Sequence, residues 1–319
     1  MKLIDFLKNT KHKIRLFLRK HKILSEELNN YNNEKSFLER DILVLAHSLE
    51  KGMGIPNPKK GYGKEKGTKL VSKLDQYMTK YNEFSFAYNE GIAVLDRYIE
   101  LMKSQNEKID NIIQLRNSIK NSQENNYCSS GFSFMSFEDL NVCDFSNFRK
   151  YIMSRHSIRH YSKENISVEE LRKAVSLANE APSACNRQPV RVYYTTTQEK
   201  AAQFEKLIDG SHGFQGEVPY YMVITSNRAY FSEDEYLQWY TNAGIYLAFL
   251  TLSLHACGIG SIILQWKCAQ DNELDVKRFF GISRTEAITA VLGFGKYPID
   301  GTKCITAQRM SAEDTLIGI

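Results

Sequence analysis

The chain has 319 residues and a mass of 36.8 kDa, enough for one large domain or two ordinary ones. With 42% hydrophobic and 25% charged residues it is a globular protein in composition, neither disordered nor fibrous. Its six scattered cysteines (Cys128, Cys143, Cys185, Cys257, Cys268, Cys304) form no C-x-x-C pair, which argues against zinc or a disulfide scaffold and for reduced thiols in a cytoplasm.

The net charge of +5 is unevenly placed. Between Met1 and Leu24, eight Lys and Arg stand against Asp5 alone, so this stretch carries +7 and the remainder −2. A basic arm, not a nucleic-acid-binding surface, follows from that distribution. Leu3, Leu7, Ile14, Phe17 and Leu18 fall on one helical face of the arm. Two readings stand side by side: a helix lying on an anionic membrane surface, or a packing helix with a solvated basic face. No apolar run reaches the ~20 residues of a membrane span, and the arm lacks a signal-peptide core.

From about Glu26 to Leu140 the pattern is helical. The spacing predicts that Gly52 stops a first helix, that Gly54 to Gly67 is a loop, and that Tyr77–Leu101 and Ile109–Ile119 are helices. Asn121 to Ser133 has the composition of a linker. These features divide the chain into a helical region with a basic arm, 1–142, and a mixed domain, 143–319. In the second part, Ser167 caps a helix running to Asn179. Val190–Thr195 and Tyr220–Thr225 are β-branched and aromatic strands, Glu235–Leu254 is a long helix, Ile259–Leu264 and Ala287–Leu292 are buried strands, and Glu273–Phe280 is a short helix. The fold class expected is α+β, a mixed sheet flanked by helices.

Four stretches of this half carry candidate chemistry. Ser154-Arg155-His156-Ser157-Ile158-Arg159-His160-Tyr161 concentrates guanidinium forks and a hydroxyl, the set that a phosphate dianion selects; a solvated basic surface is the alternative. Ala181-Pro182-Ser183-Ala184-Cys185-Asn186-Arg187-Gln188-Pro189 is a loop stiffened by two prolines. Its Asn186 and Gln188 amides can both donate and accept, and a plain polar turn would look similar. His255-Ala256-Cys257-Gly258-Ile259-Gly260-Ser261 ends the long helix, with glycines that either admit a ligand or cap the helix. Gly293-Phe294-Gly295-Lys296-Tyr297-Pro298 follows as a turn, and after it come Lys303 and Arg309. Cys185 and Cys257 fit small buried packing positions.

Together these stretches resemble the nitroreductase family, in which R-x-S-x-R, A-P-S-x-x-N-x-Q-P, G-x-G and G-[YF]-x-x-x-P occur in this order. The resemblance covers about Phe148 to Ile319. It implies a nitroreductase-like α+β fold, a homodimer, FMN at the subunit interface and NAD(P)H as electron donor. The reaction it implies is electron transfer through flavin to a small organic acceptor of nitro, quinone or enone type. On this resemblance Arg155, Ser157 and Arg159 hold the FMN phosphate and ribityl chain with His156 beside them. Pro182, Ser183, Ala184, Asn186 and Gln188 reach the flavin of the other subunit, Gly258, Ile259 and Gly260 lie over the ring, and Arg309 returns to the phosphate. No side chain is implied as an acid, base or metal ligand. Val190 stands where many members carry a bulky aromatic, and the short stretch from Thr225 to Leu237 implies a reduced lid. The H-x-L-E-K-G stretch at His47–Gly52 is similar to nitroreductase-like proteins of bacterial surface-polysaccharide gene sets. That similarity suggests the alternative of a specialised or non-catalytic role there, docked to a membrane or partner.

Overall fold

The computed structural model describes residues 34–56, 58–120, 130–266 and 272–318, with Thr10 and Ile14. The expected membrane or packing role of the basic arm lies outside the described residues. So does the first part of the expected linker, 121–129.

Helix α1 (Glu34–Gly54) buries Leu38, Ile42, Ala46, Leu49 and Met53, a stripe that repeats every three to four residues. It packs against α2 (Lys64–Tyr81) and α3 (Phe86–Ser104), with α4 (Asp110–Ser118) laid on α2. Three boundaries differ from those the sequence suggests, the first being the loop expected over Gly54–Gly67, which ends at Gly63 because α2 begins at Lys64. Gly52 does not stop α1; the Tyr62 ring packs against it so closely that a Cβ would lie 2.4 Å from Tyr62 Cε2. The helix expected over Tyr77–Leu101 is two helices. Asn82 takes the left-handed conformation after Tyr81 (φ 47°), and Ser85 caps α3 by accepting the Tyr88 N–H. Turn-forming Asn and Ser chemistry overrides an uninterrupted apolar period here.

After α5 (Phe137–Leu140) and α6 (Phe145–Ser154), α7 (Val168–Ala178) starts with the expected Ser167 cap, completed as a capping box by Glu170. The sheet has four strands, β1 (Val190–Tyr194), β2 (Tyr220–Asn227), β3 (Ile259–Leu264) and β4 (Glu286–Lys296), in the order β1-β2-β4-β3 and antiparallel throughout. Strand β4 runs to Lys296, so Gly293-Phe294-Gly295 is strand and not the expected turn. Along β2 the two faces alternate. Tyr220, Met222 and Ile224 meet α7 and α9 (Gln238–Ala256), while Tyr221 and Val223 meet α8 (Gln198–Glu205) and α10 (Glu273–Phe280). Burial on both faces explains its unbroken apolar run. The fold is α+β, preceded by a helical region.

The helical region shares its core with the second half. Tyr230, Phe231, Trp239 and Ala287 are buried in the same cluster as Leu43, Leu49, Leu74 and Tyr98. The connection from β2 to α9, expected as a reduced lid, is thus folded into the helical core. Its aromatics Tyr230 and Phe231 are buried there, which removes their apolar surface from water.

Candidate functional site

The basic segment is fastened to the end of α9 and the start of β3. Ser157 forms an isolated parallel bridge with Ser261, and the Ile158 N–H donates to the Ser261 carbonyl at 3.1 Å. Gly260 makes this approach feasible, since a Cβ there would lie 2.9 Å from Ile158 Cγ1. Ile158 is buried and anchors the strand-like segment, while Arg155, His156, Ser157 and Arg159 flank it half-exposed. Among the described residues neither Arg155 nor Arg159 is paired with a carboxylate; Arg159 lies 6.0 Å from the Phe214 ring. By contrast, Arg116 and Arg187 are each committed to an acidic partner.

A histidine missed by the motif comparison organises this end. Ser154 Oγ lies 2.7 Å from His255 Nε2, and Tyr297 Oη lies 2.8 Å from His255 Nδ1. Burial first, then the nearby Arg155 guanidinium, push the His255 pKa below its ordinary 6.5, so the imidazole is neutral near pH 7. The contact joins the basic segment, the G-x-G helix end and the end of β4, three stretches that were separate in sequence. The signal was present as His255 in the third motif, but nothing in a linear pattern says which strand it meets.

The Gly258–Gly260 stretch contributes backbone. Gly258 is left-handed at φ 69° and its N–H donates to the His255 carbonyl. Ile259 is fully buried in the core, so its side chain is turned away from any ligand over this edge.

The Ala181–Pro189 loop lies at the other end of α9. Its Ala184 N–H donates to Asn242 Oδ1 at 2.7 Å, and the Gln188 N–H donates to Ser183 Oγ at 3.0 Å. Gln188 Nε2 donates to Asn186 Oδ1 at 3.0 Å, a pairing that orients the two amides side by side. Cys185, Asn186 and Gln188 all have positive φ, at 52°, 50° and 47°. A left-handed backbone costs roughly 1–2 kcal/mol per ordinary residue, so this loop is held against a local preference. Cys185 and Cys257 are half-buried rather than fully buried as expected. A cleft of about 580 Å³ borders Pro182, Ser183 and Gln188, between α7 and β1, lined by Leu171, Val175, Val190 and Met222.

One chain does not bring all the candidate residues together. Asn242 holds the loop and His255 holds the basic segment; at 1.5 Å per residue these lie roughly 20 Å apart along α9. Arg309 lies in an exposed tail, donating to the carbonyls of Ala307 and Gln308, with no described bond to the basic segment.

Residues 152–211 match the nitroreductase family. The nitroreductase match spans the basic segment, α7, the Asn186–Gln188 loop and β1. No curated protein matches the chain significantly. Solved structures similar to it include a nitroreductase-like family protein from Bacillus cereus (14% identity, TM-score 0.46), which covers 56% of this chain and 98% of its own. A nitroreductase family protein from Streptococcus pneumoniae gives 20% identity and a TM-score of 0.45, covering 54% of this chain and 100% of its own. An FMN-dependent nitroreductase from Clostridium difficile gives 18% and 0.41, covering 49% and 90%. Among the described residues no helix is long and apolar enough to cross a membrane.

Proposed function

We propose that this protein is an FMN-dependent oxidoreductase that works as a homodimer and passes electrons from NAD(P)H to a small organic acceptor such as a nitro compound, quinone or enone. The observation that carries the proposal is the pair Arg155 and Arg159, without a carboxylate partner among the described residues and held around Ser157 on the edge of β3. Such guanidiniums are open to an anion, and a terminal phosphate suits their fork geometry. No adenosine-binding fingerprint accompanies them, which favours FMN over FAD.

The residues available fit such a cofactor. Arg155, Ser157 and Arg159 would hold the phosphate, with His156 adjacent. The Gly258–Gly260 backbone would lie at the ring, and the amides of Asn186 and Gln188 would meet the ring's polar edge. When bound, FMN supplies the hydride-accepting and electron-donating chemistry. The chain would supply positive charge from Arg155 and Arg159 and fixed backbone dipoles at Gly258–Gly260, with no side chain required as acid or base.

The roughly 20 Å between the two clusters supports a shared site, with the loop of one copy meeting the basic segment of the other. Helix α9 supports it independently. The helix is apolar all round, as a buried helix is, yet Gly244, Ile245, Ala248 and Phe249 are exposed along one stripe. A second copy would cover that stripe. The test is spectroscopic: purified protein should show flavin absorbance that bleaches anaerobically with NADH or NADPH and returns on adding a quinone. A colourless protein that FMN cannot reconstitute would defeat the proposal and leave the fold as scaffold.

A further inference from the structure

The helical region meets the candidate flavin loop at Ala184, which packs against its core, and reaches the loop a second time through the Arg228–Glu235 connection, which holds Arg187. Only 2% exposed, its guanidinium donates from Nε to the Ala184 carbonyl at 2.9 Å and from Nη1 to the Tyr230 carbonyl at 2.6 Å. Two further bonds, from Nη1 and Nη2, grip both oxygens of Glu235, and the group lies 4.7 Å from the Phe231 ring. Arg187 thus binds the loop at Ala184, on the N-terminal side of the left-handed residues, and sits itself between Asn186 and Gln188. Its pairing with Glu235 is strong enough to hold that carboxyl down to about 2.

The connection continues into the helices. Tyr230 and Phe231 are buried in the helical core. Tyr230 Oη donates to Glu39 Oε2 at 2.9 Å, and Glu39 Oε1 accepts from Tyr77 Oη at 2.9 Å, which joins α1 and α2 to the same chain of bonds. Asn227 Nδ2 donates to Ser36 Oγ at 3.3 Å beside it. His47 on α1 also feels Arg187: burial, Lys51 and Arg187 all lower its pKa, so it stays neutral beside the guanidinium.

We propose, on the reading of the Ala181–Pro189 loop as part of a flavin site, that Arg187 is a positioning residue and the helical region is the clamp behind it. Glu39 and Tyr230 fix the Arg228–Glu235 connection, the connection fixes Arg187, and Arg187 holds Cys185, Asn186 and Gln188 in their left-handed conformations. The Asn186 and Gln188 amides are then presented ready-oriented to the ligand, which lowers the ordering cost of binding. A loop that relaxed toward ordinary backbone angles would swing both amides away. This gives the helices of the N-terminal half a role in cofactor affinity through the loop that they hold.

The experiment uses full-length protein with Tyr230→Phe and Glu39→Gln, which break the chain far from any flavin contact, together with Arg187→Gln and Arg187→Lys. Hydrogen exchange at residues 184–188 reports the loop, FMN titration followed by fluorescence quenching reports affinity, and melting of the apo protein reports the fold. The expected result is faster exchange in the loop and an FMN Kd raised about tenfold or more by Arg187→Gln, with partial recovery in Arg187→Lys. Tyr230→Phe and Glu39→Gln should raise it severalfold, in the same order as they loosen the loop. Should Arg187→Gln fail to fold, the two remote variants decide. Unchanged loop exchange, or a loosened loop with wild-type FMN affinity, would overturn the clamp. Wild-type protein that binds no FMN but shows a protected loop would overturn the flavin reading itself, and the proposal with it.

Discussion

Ser157 and Ser261 lie side by side as a parallel bridge, and this pairing sets the basic segment on the same edge as the glycines that end α9. Arg155 and Arg159 flank the bridge without acidic partners among the described residues. Replacing either with alanine should therefore cost one charge-assisted contact to the phosphate, about 1.5–3 kcal/mol, or roughly a tenfold to hundredfold rise in the FMN Kd. The melting temperature of the apo protein should hardly move, because no intramolecular ion pair is lost. Variants that keep their flavin through dialysis as the wild type does would remove the phosphate from this place.

The Ser154–His255–Tyr297 contact predicts a pH dependence. The folded pKa of His255 lies below its ordinary 6.5, so the unfolded chain binds the proton more readily. Stability is therefore fully present above about 6.5 and is lost as pH falls from there through the depressed folded value. His47 shifts in the same direction and adds to the slope. The apo protein's melting temperature should fall between pH 7 and 5, and His255→Asn should flatten part of that fall. An unchanged slope in the variant would show that His255 is not held neutral.

Glu90 predicts the opposite sign. Burial raises its carboxyl, and Glu50 nearby adds to the rise, while the Ser130 hydroxyl that donates to it at 2.9 Å recovers only part. A raised folded pKa contributes stability below about 4.5, which is lost as pH climbs through the folded value. Glu90→Gln keeps the acceptor for Ser130 and removes the charge. It should raise the melting temperature at pH 8 and give no gain at pH 4. A lower melting temperature at pH 8 would mean that the charge itself is used.

The architecture was legible wherever local chemistry and tertiary packing agree. Ser167 capped α7 with Glu170 as its box partner, and the aromatic and β-branched run at Tyr220–Thr225 became β2. Legibility failed where an apolar period ran across a turn, as at Asn82, or where a glycine served a close approach instead of a stop, as at Gly52. The motifs located the basic segment and the amide loop, yet Arg187 and His255 were invisible as organising residues. Their importance lies in partners far along the chain, Glu235 and Tyr230 for one, Ser154 and Tyr297 for the other. Linear spacing does not encode which buried cation finds which carboxylate.

The exposed stripe on α9 makes the proposed subunit contact testable by substitution. A carboxylate at Ile245 or Phe249 would be stranded in an apolar interface, a change that usually costs several kcal/mol. Ile245→Asp or Phe249→Asp should shift the protein toward monomer in light scattering and release flavin in step. Monomeric variants that retain flavin in full would separate the site from the interface.

Native mass spectrometry of the purified full-length protein bears most directly on the proposed shared flavin site. It weighs chains and cofactor in one particle. The expected species is two chains carrying two FMN, with collision-induced separation into monomers that shed their flavin. A single chain holding FMN at full occupancy, or a dimer holding FAD, would contradict a site assembled from Arg155 and Arg159 of one copy and Asn186 and Gln188 of the other.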